Sequence, residues 1–240
     1  MRVVIVGAAG RTGREVAAAC LGSGNEVAAT VDRAFDGDEN KNCYKSICDF
    51  KGQADVIVDF SAPSAIEGVA AFALKTNTPL VVATTGHNAE QKKLIKSVSK
   101  RVPVFYSAKL SLGAGVLVDC AKRALKVFPD AQIEIVETHH AQKADSPSGT
   151  AYMIATKLSG KKPVYARKGK RDDRIGVSSV RYGNVVGIHT IIIHQGGQTL
   201  TFTHQADDRS VFADGAIAAA KFIQGKRSGI YDVFDLISET

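Results

Sequence analysis

The first residues of the chain constrain its fold more than any other stretch. Residues 2–7 form an apolar run that ends at Gly7, and Gly7, Gly10 and Gly13 then follow at intervals of three. Glycines at this spacing let the backbone turn tightly and approach a pyrophosphate, and the helix behind them points its N-terminus at the phosphates. Because Ala9 stands where the strict G-x-G-x-x-G pattern has its middle glycine, the interpretation depends on what surrounds the turn.

The surroundings favour dinucleotide binding. Residues 26–31 are predicted to form a second strand, and Asp32 follows it about 20 residues beyond the glycines, where a carboxylate can accept the adenosine ribose hydroxyls. Strand, glycine turn, helix, strand and acid occur in the required order. The alternative is a glycine-rich turn with an incidental acid.

The rest of the first half continues the alternation of strands and helices. Residues 33–53 are polar and weakly patterned, and they are predicted to form a long loop. Strands are then predicted over 55–60, 79–83 and 102–106, with helices over 63–75 and 89–100 between them. This order predicts a parallel, doubly wound sheet of Rossmann type, whose ligands lie beyond the carboxyl ends of the strands.

The pattern changes after Gly115. A helix over 116–128 and a strand over 132–137 are followed by strand-like runs at 175–182, 185–195 and 198–205. Gly183-Asn184 and Gly196-Gly197 separate these runs, and two-residue glycine turns are typical of antiparallel hairpins. The sequence therefore predicts a second, α+β domain with a largely antiparallel sheet.

The expected domain boundaries follow from these changes. The first domain is predicted to span 1–109 and the second 110–208. A helix from Ser210 and an apolar tail at 230–237 are too short to form a domain, so residues 209–240 are predicted to return to the first.

A polar stretch at 137–150 lies between a predicted strand and a predicted helix. It contains His139, His140 and Lys143, and a serine that begins the helix would leave backbone N–H groups near Gly149 and Thr150 without helical partners. Imidazoles, an ammonium and free amides together suit a small carboxylate substrate that needs a proton. The alternative is a loop with a surface histidine pair.

Two serines compete as the cap of that helix. Ser146 precedes Pro147, which suits the first helical turn, and Ser148 could cap one turn later.

Composition narrows the classes of protein. A chain of 240 residues that is 45% hydrophobic can bury a sizeable core, and it has no run of about 18 apolar residues. The first strand is too short for a signal peptide, so a cytoplasmic protein without a membrane partner is expected. Of the four cysteines, Cys20 and Cys120 lie in apolar helical patterns and are expected in the core, whereas Cys43 and Cys48 lack a second ligand pair, so no metal is expected.

The net charge of +7 does not indicate a nucleic-acid partner. The lysines and arginines of the chain are scattered, apart from basic clusters at 161–162 and 167–171, and no aromatic residues are interleaved with them. A positive field that gathers an anionic cofactor and substrate explains the charge as well.

These motifs resemble those of the 4-hydroxy-tetrahydrodipicolinate reductase family, formerly called dihydrodipicolinate reductase, of the diaminopimelate route to lysine. The resemblance runs nearly end to end and is most specific in the His-His-x-x-Lys-x-Asp-x-Pro-Ser-Gly-Thr stretch at 139–150. It also includes 7–13, 58–61, 84–86, 181–190 and 203–204.

The resemblance implies roles for individual residues. His139 and Lys143 match the catalytic pair, with Lys143 the proton donor and His139 the neighbouring acid or base, and His140, Gly149 and Thr150 match the contacts to the substrate carboxylates. The implied cofactor contacts are Gly7, Ala8, Ala9, Gly10, Arg11, Thr12, Asp32, Arg33, Ala83, Thr84, Thr85, Ser107, Ala108, Lys109 and Leu110.

Some positions depart from the family pattern. Ala83 replaces a frequent glycine, Lys109 a frequent asparagine, and Ala141-Gln142 stand where another basic residue is common. The resemblance also implies a homotetramer assembled through the sheet of the second domain.

The expected activity is hydride transfer from NADH or NADPH to a cyclic, unsaturated dicarboxylate. Asp32 favours NADH and Arg33 favours the 2′-phosphate of NADPH, so both coenzymes are expected to serve. The alternatives are a related two-domain NAD(P)-dependent dehydrogenase and a non-catalytic NAD(H)-sensing protein.

Overall fold

A computed structural model describes residues 1–38, 41–107, 110–167 and 169–240. The helices and strands of these residues are, in chain order, β1 (Arg2–Val6), α1 (Arg11–Gly22), β2 (Glu26–Val31), β3 (Cys43–Tyr44), β4 (Val56–Asp59), α2 (Ile66–Thr76), β5 (Leu80–Val82), α3 (Ala89–Val98), β6 (Pro103–Tyr106), α4 (Leu112–Val127), β7 (Gln132–His139), α5 (Gly149–Ser159), β8 (Val164–Tyr165), β9 (Gly176–Arg181), β10 (Gly187–Gln195), β11 (Gln198–Ala206), α6 (Ser210–Phe222), β12 (Gly229–Tyr231) and α7 (Val233–Ser238).

The chain divides into two units. Unit 1 comprises Met1–Leu110 and Ser210–Thr240, and unit 2 comprises Ser111–Arg209.

Unit 1 is built on a parallel sheet with the strand order β12-β6-β5-β4-β1-β2-β3. Every strand pair in it is parallel. Residues of β4 and β5 are buried along their whole length, as expected for apolar strands covered on both faces. The predicted doubly wound α/β class is confirmed.

The prediction of a long loop over residues 33–53 is wrong. Residues 43–44 form β3, which extends the sheet beside β2, and a 3-10 helix follows at Ile47–Asp49. Tyr44, Ile47 and Phe50 are buried, and the rings of Tyr44 and Phe50 meet edge to face with centroids 5.5 Å apart. Most residues around these three are polar, so their burial could not be predicted from the sequence.

Two of the predicted helices begin differently from what the sequence predicts. The helix predicted over 63–75 begins with a 3-10 turn at Pro63–Ala65 before α2. α4 begins at Leu112, earlier than predicted, because the Ser111 hydroxyl accepts a hydrogen bond from Ala114 N and caps it.

The C-terminal segment contributes to unit 1. α6 packs against α1, and β12 adds an edge strand that pairs with β6. α7 ends the unit, capped at Asp232 by its side chain.

Unit 2 contains a mixed sheet with the strand order β11-β10-β7-β9-β8. β10 is antiparallel to both β11 and β7, whereas β9 is parallel to β7 and to β8. The turn at Gly196-Gly197 joins β10 and β11 as predicted, and both glycines have positive φ.

The second predicted hairpin, at Gly183-Asn184, is wrong. β7 lies between β9 and β10, so this segment crosses the end of β7 instead of reversing the chain into a neighbouring strand. Tyr182 N donates to His139 O and Ala141 N donates to Gly183 O, each at 3.1 Å, which holds the crossing segment against the residues that leave β7. Among the described residues, no helix is long and apolar enough to cross a membrane.

Candidate active site

The glycine turn in unit 1 leaves no room for side chains. Gly7 has a φ of +86°, and a Cβ added there would lie 2.6 Å from the carbonyl oxygen of Phe60. A Cβ on Gly13 would collide with the Gly7 carbonyl. α1 begins at Arg11, behind Gly10, which has no side chain to cap the helix. Its first N–H groups are therefore left to attract an anion.

Asp32 is held beside this turn by backbone amides. Its Oδ2 accepts a hydrogen bond from Ala9 N and its Oδ1 accepts one from Ala34 N, both at 3.0 Å. Each carboxylate oxygen can accept more than one bond, so Asp32 keeps acceptor capacity for a ribose hydroxyl. Arg33, the next residue, is exposed.

A cavity of about 670 Å³ opens beside the turn and Asp32. Its volume and its glycine-lined wall fit a nucleotide, whose phosphates need close backbone approach. It is lined by Val6, Gly7, Ala9, Gly10, Val31, Asp32, Arg33, Ala34, Lys45, Ser46, Ile47, Phe60, Ser61, Ala62, Ser64, Ala65, Gly68 and Val69.

Lys45 and Ser46 were missed by sequence reasoning. They line the cavity because β3 pairs with β2 and the following 3-10 helix packs against α2, in the segment that was predicted to be a loop. Other predicted contacts lie outside the lining of the cavity: Ala8 is buried, and Arg11 and Thr12 form the first turn of α1.

The remaining predicted cofactor residues lie at the carboxyl ends of β5 and β6. Ala83 and Thr84 are buried and Thr85 is exposed, and Ser107 N donates to Val82 O at 3.1 Å. Leu110 is buried. Ala108 and Lys109 lie outside the described residues.

Asp59 and His87 form a buried polar group at the same edge of the sheet. Burial raises the pKa of Asp59, although hydrogen bonds from the Ser61 hydroxyl (2.5 Å) and Ser61 N (3.0 Å) to its Oδ1 oppose this effect. Among the described residues, Asp59 Oδ2 and both ring nitrogens of His87 have no hydrogen-bond partner. The sequence predicted the end of a strand here, but it gave neither Asp59 nor His87 a role.

In unit 2, β7 carries two polar side chains into the core. Side chains alternate along a strand, so Glu137 and His139 follow Ile133 and Ile135 onto the same buried face. Glu137 is 0% exposed, and its Oε2 lies 2.5 Å from His139 Nδ1.

Arg181 on β9 neutralises Glu137. The parallel register places Arg181 beside His139, and its guanidinium donates to both carboxylate oxygens of Glu137 at 2.7 and 2.9 Å. It also donates to the Asp145 carbonyl at 2.9 Å, which ties down the loop after β7.

Ser148, not Ser146, caps α5. Its hydroxyl accepts from Ala151 N at 3.1 Å and lies 3.0 Å from His189 Nε2, while its own N–H donates to Glu137 Oε1 at 3.0 Å. The helix therefore begins at Gly149 and Thr150, whose amides belong to its first turn.

Lys143 and His140 lie in the loop between β7 and α5. Lys143 is only 18% exposed in its side chain, and its Nζ lies 2.6 Å from Asp145 Oδ1. His140 is half-buried, and its carbonyl accepts from Lys143 N at 3.1 Å, which closes a turn.

Burial and hydrogen bonds together determine the charges of Glu137 and His139. Burial alone would raise the pKa of Glu137, but hydrogen bonds from Arg181, Ser179, His139 and Ser148 lower it to about 2. Burial lowers the pKa of His139, and its bond to Glu137 only partly opposes this effect. Near neutral pH an ionised Glu137 therefore faces a neutral imidazole.

No group of three or more His, Cys, Asp or Glu that could hold a metal occurs among the residues that the structure describes. Cys20 is buried as expected, whereas Cys120 is only half-buried and Cys48 is exposed.

Two family models match the chain. The model of the dihydrodipicolinate reductase N-terminus matches residues 1–110, and that of the C-terminus matches residues 113–237.

Individual relatives agree with these matches. A 4-hydroxy-tetrahydrodipicolinate reductase of Caldanaerobacter subterraneus subsp. tengcongensis is 39% identical over 250 residues, covering 100% of this chain and 99% of its own length. One of Rickettsia bellii is 36% identical, covering 97% and 94%.

The fold is shared with solved structures. A dipicolinate-bound dihydrodipicolinate reductase from Paenisporosarcina sp. TG-14 has a TM-score of 0.78 at 22% identity, with 97% of each chain covered. A probable dehydrogenase from Thermotoga maritima has a TM-score of 0.67 at 13% identity, covering 98% of this chain and 92% of its own.

From the two family models and the full-length relatives, this chain belongs to the dihydrodipicolinate reductase family.

Proposed function

We propose that this chain reduces a cyclic, dihydrodipicolinate-type dicarboxylate to tetrahydrodipicolinate, as a 4-hydroxy-tetrahydrodipicolinate reductase of lysine and diaminopimelate biosynthesis. The observation that carries the proposal is the segment of unit 2 that joins β7 to α5. It holds His139, His140 and Lys143, whose charge acts on His139, and it ends at the first turn of α5 with Gly149 and Thr150. This grouping offers a proton donor and an anion site within one short segment.

The coenzyme site of the proposal is in unit 1. Gly7, Ala9 and Gly10 would hold the pyrophosphate and Asp32 the adenosine ribose, both beside the cavity, and the strip at 83–85 with 107–110 would hold the nicotinamide end. A bound reduced nicotinamide supplies the hydride.

The substrate site is in unit 2. The amides of Gly149 and Thr150 and the imidazole of His140 would bind the carboxylates, since a helix N-terminus attracts anions. The Lys143 ammonium would deliver the proton that balances hydride addition, as a general acid. Its Nζ lies 2.6 Å from Asp145 Oδ1, and this ion pair holds the ammonium in the loop between β7 and α5.

Both coenzymes are proposed to serve, with specificity constants within about thirtyfold, or roughly 2 kcal/mol. Asp32 repels a 2′-phosphate, but Arg33 stands beside it, and Lys45 adds a second positive charge to the cavity wall. Solvent weakens both the repulsion by Asp32 and the attraction by Arg33 and Lys45, so neither coenzyme is excluded.

The proposal is tested by turnover. Oxidation of NADPH and of NADH is followed at the nicotinamide absorbance with the dicarboxylate, freshly generated, as the substrate. A related two-domain dehydrogenase would oxidise the coenzyme only with a different substrate, and an NAD(H)-sensing protein would bind it without turnover. Either result would contradict the proposal.

We also propose a cytoplasmic homotetramer assembled through the sheet of unit 2. β11 is a nine-residue strand at the edge of that sheet with alternate side chains exposed, and a long unpaired edge favours association. The four cysteines are free, in keeping with a reducing compartment. Sedimentation equilibrium measures the assembly, and a monomer at micromolar concentration would contradict it.

A further inference from the structure

Glu137 is the most fully enclosed charged residue of the polar network in unit 2, and the reaction proposed above does not use it. It is 0% exposed, whereas Lys143 and Arg181 retain 18% and 19% exposure in their side chains. An ionised carboxylate in such a place is costly unless every oxygen is hydrogen-bonded. Here Oε1 accepts from Ser148 N and Arg181, and Oε2 accepts from Arg181 and lies against His139.

The contact with His139 determines where the imidazole carries its proton. A carboxylate that is ionised can only accept hydrogen bonds, so His139 Nδ1, at 2.5 Å from Oε2, must carry the hydrogen. In a neutral ring the other nitrogen, Nε2, then has no hydrogen and presents a lone pair.

Burial lowers the pKa of His139 and so favours the neutral ring. Its ring faces Glu137 on its own strand, Arg181 on β9, Lys143 in the following loop and His189 on β10, whose ring centroid is 5.2 Å away. The hydrogen bond to Glu137 opposes the effect of burial on the pKa of His139, whereas the charges of Lys143 and Arg181 add to it. Gly187 leaves the space beside Nε2 open, because a Cβ there would lie 3.0 Å from that nitrogen.

We propose that Glu137 is a positioning residue that holds His139 in the Nδ1–H tautomer, so that Nε2 is a hydrogen-bond acceptor and Lys143 is the only proton donor of the pair. This division of roles rests on the proposed function. It resolves the choice between acid and base that the sequence left open for His139. In this scheme His139 Nε2 accepts a hydrogen bond from the Lys143 ammonium or from the substrate, and Arg181 keeps the carboxylate in place.

The tautomer is tested directly on the wild-type protein. ¹⁵N-labelled histidine gives ring spectra that distinguish the two neutral tautomers from the doubly protonated ring, and a His139→Asn variant assigns the signal. We expect the Nδ1–H tautomer near pH 7.5. An Nε2–H tautomer or a doubly protonated ring would overturn the proposal, and this measurement requires neither substrate nor turnover.

Kinetics test the consequence with Glu137→Gln. Loss of the carboxylate charge should lower the pKa of His139, so the acidic limb of the profile of kcat/KM against pH should move to lower pH. Because a glutamine amide does not enforce one tautomer, kcat should fall at least about tenfold. NADPH binding to unit 1, measured by fluorescence, should be unchanged.

Glu134→Gln is the matched control. Glu134 lies on the same strand, and it also pairs with arginines, Arg167 and Arg171, but it does not contact His139. We expect its pH profile to match that of the wild type. If Glu137→Gln is folded, binds NADPH and also matches the wild-type profile, Glu137 has no positioning role. If the wild type binds NADPH but does not reduce the dicarboxylate, the proposed function fails, while the tautomer result still decides the present inference.

Discussion

At the scale of single residues, Lys143 is expected to carry the largest effect on rate. Lys143→Ala should lower kcat at least about a hundredfold, the usual size of a lost general acid. Coenzyme affinity should change little, because the coenzyme residues proposed above belong to unit 1. Steady-state rates measured beside NADH binding by fluorescence test both expectations, and near-normal turnover would rule out Lys143 as the proton donor.

His140 should behave differently from Lys143. It is proposed to bind a carboxylate that is present in the substrate and in the transition state alike, so His140→Ala should raise KM several-fold with little loss of kcat. Rates over a range of substrate concentrations separate the two constants. A large loss of kcat at unchanged KM would give His140 a chemical role instead.

We expect coenzyme choice to depend on three side chains that line the cavity of unit 1. Arg33→Ala and Lys45→Ala should each lower kcat/KM for NADPH more than for NADH, by about three- to tenfold for an exposed charge. Asp32→Ala should shift the balance toward NADPH. Lys41→Ala is the control, because Lys41 pairs with Asp38 and does not line the cavity. If Arg33→Ala and Lys45→Ala both leave the NADPH constant unchanged, the phosphate is held elsewhere, with Arg11 the next candidate.

The sequence predicted some of these residues and not others for a physical reason. His139, Lys143 and Gly149 lie in one continuous stretch, so their grouping is visible without a fold. Arg181 is paired with Glu137 through the parallel register of β7 and β9, which are separated by a long stretch of chain. Long-range pairing of this kind leaves no local pattern. Lys45 was missed for a similar reason, since only the short strand β3 brings it to the cavity.

At the scale of elements, α1 offers a matched pair of glycines. A Cβ on Gly13 would meet the backbone of Gly7 and Ala8, whereas one on Gly22, at the other end of the helix, would meet nothing within 4 Å. Gly13→Ala should therefore lower the free energy of unfolding by about 1–3 kcal/mol and weaken coenzyme binding. Gly22→Ala should be neutral or stabilising by up to about 1 kcal/mol.

Chemical denaturation and coenzyme titration of both variants check this expectation. Equal stability of the two variants would contradict the close approach of α1 to the glycine turn.

The elements that could be predicted are those with strong local patterns. The buried Val- and Ile-rich strands of unit 1 and the Gly196-Gly197 turn fall into this class. Gly183-Asn184 looks the same in sequence, but it crosses the end of β7 because β7 is already paired with both β9 and β10. Turn residues predict a reversal of the chain, and they do not determine which strand becomes the neighbour.

At the scale of the whole molecule, stability should depend on the ionisation of Glu137. Its pKa is about 2 in the folded chain against 4.5 for a free glutamate. A lowered pKa of this kind contributes stability above pH 4.5, and the contribution is lost as the pH falls through about 2. The shift corresponds to about 3 kcal/mol, of which roughly 2 kcal/mol should be lost by pH 3.

Denaturant unfolding of the wild type and of Glu137→Gln at pH 6 and pH 3 measures this effect. The difference in free energy of unfolding between them should narrow by roughly 2 kcal/mol at the lower pH. A difference that does not change with pH would show that folding does not lower the pKa of Glu137.

The cysteines should matter little for the whole molecule. Cys48 is exposed, and the Cys43 sulfur accepts a hydrogen bond from the Thr30 hydroxyl and donates one to the Lys41 carbonyl. The double variant Cys43→Ser, Cys48→Ser should keep full activity and melt within a few degrees of the parent. Stoichiometric zinc in the parent that is absent from the variant would show a metal role for these residues.

The division of unit 1 into two parts of the chain has a consequence for its synthesis. Residues 111–209 leave the ribosome as one continuous piece and can complete their own sheet at once. Residues 1–110 emerge earlier, but β6 must wait for β12 and α1 must wait for α6. Although residues 1–110 are synthesised first, unit 1 therefore completes its fold after unit 2. Nascent chains should accordingly gain resistance to proteolysis in unit 2 before unit 1.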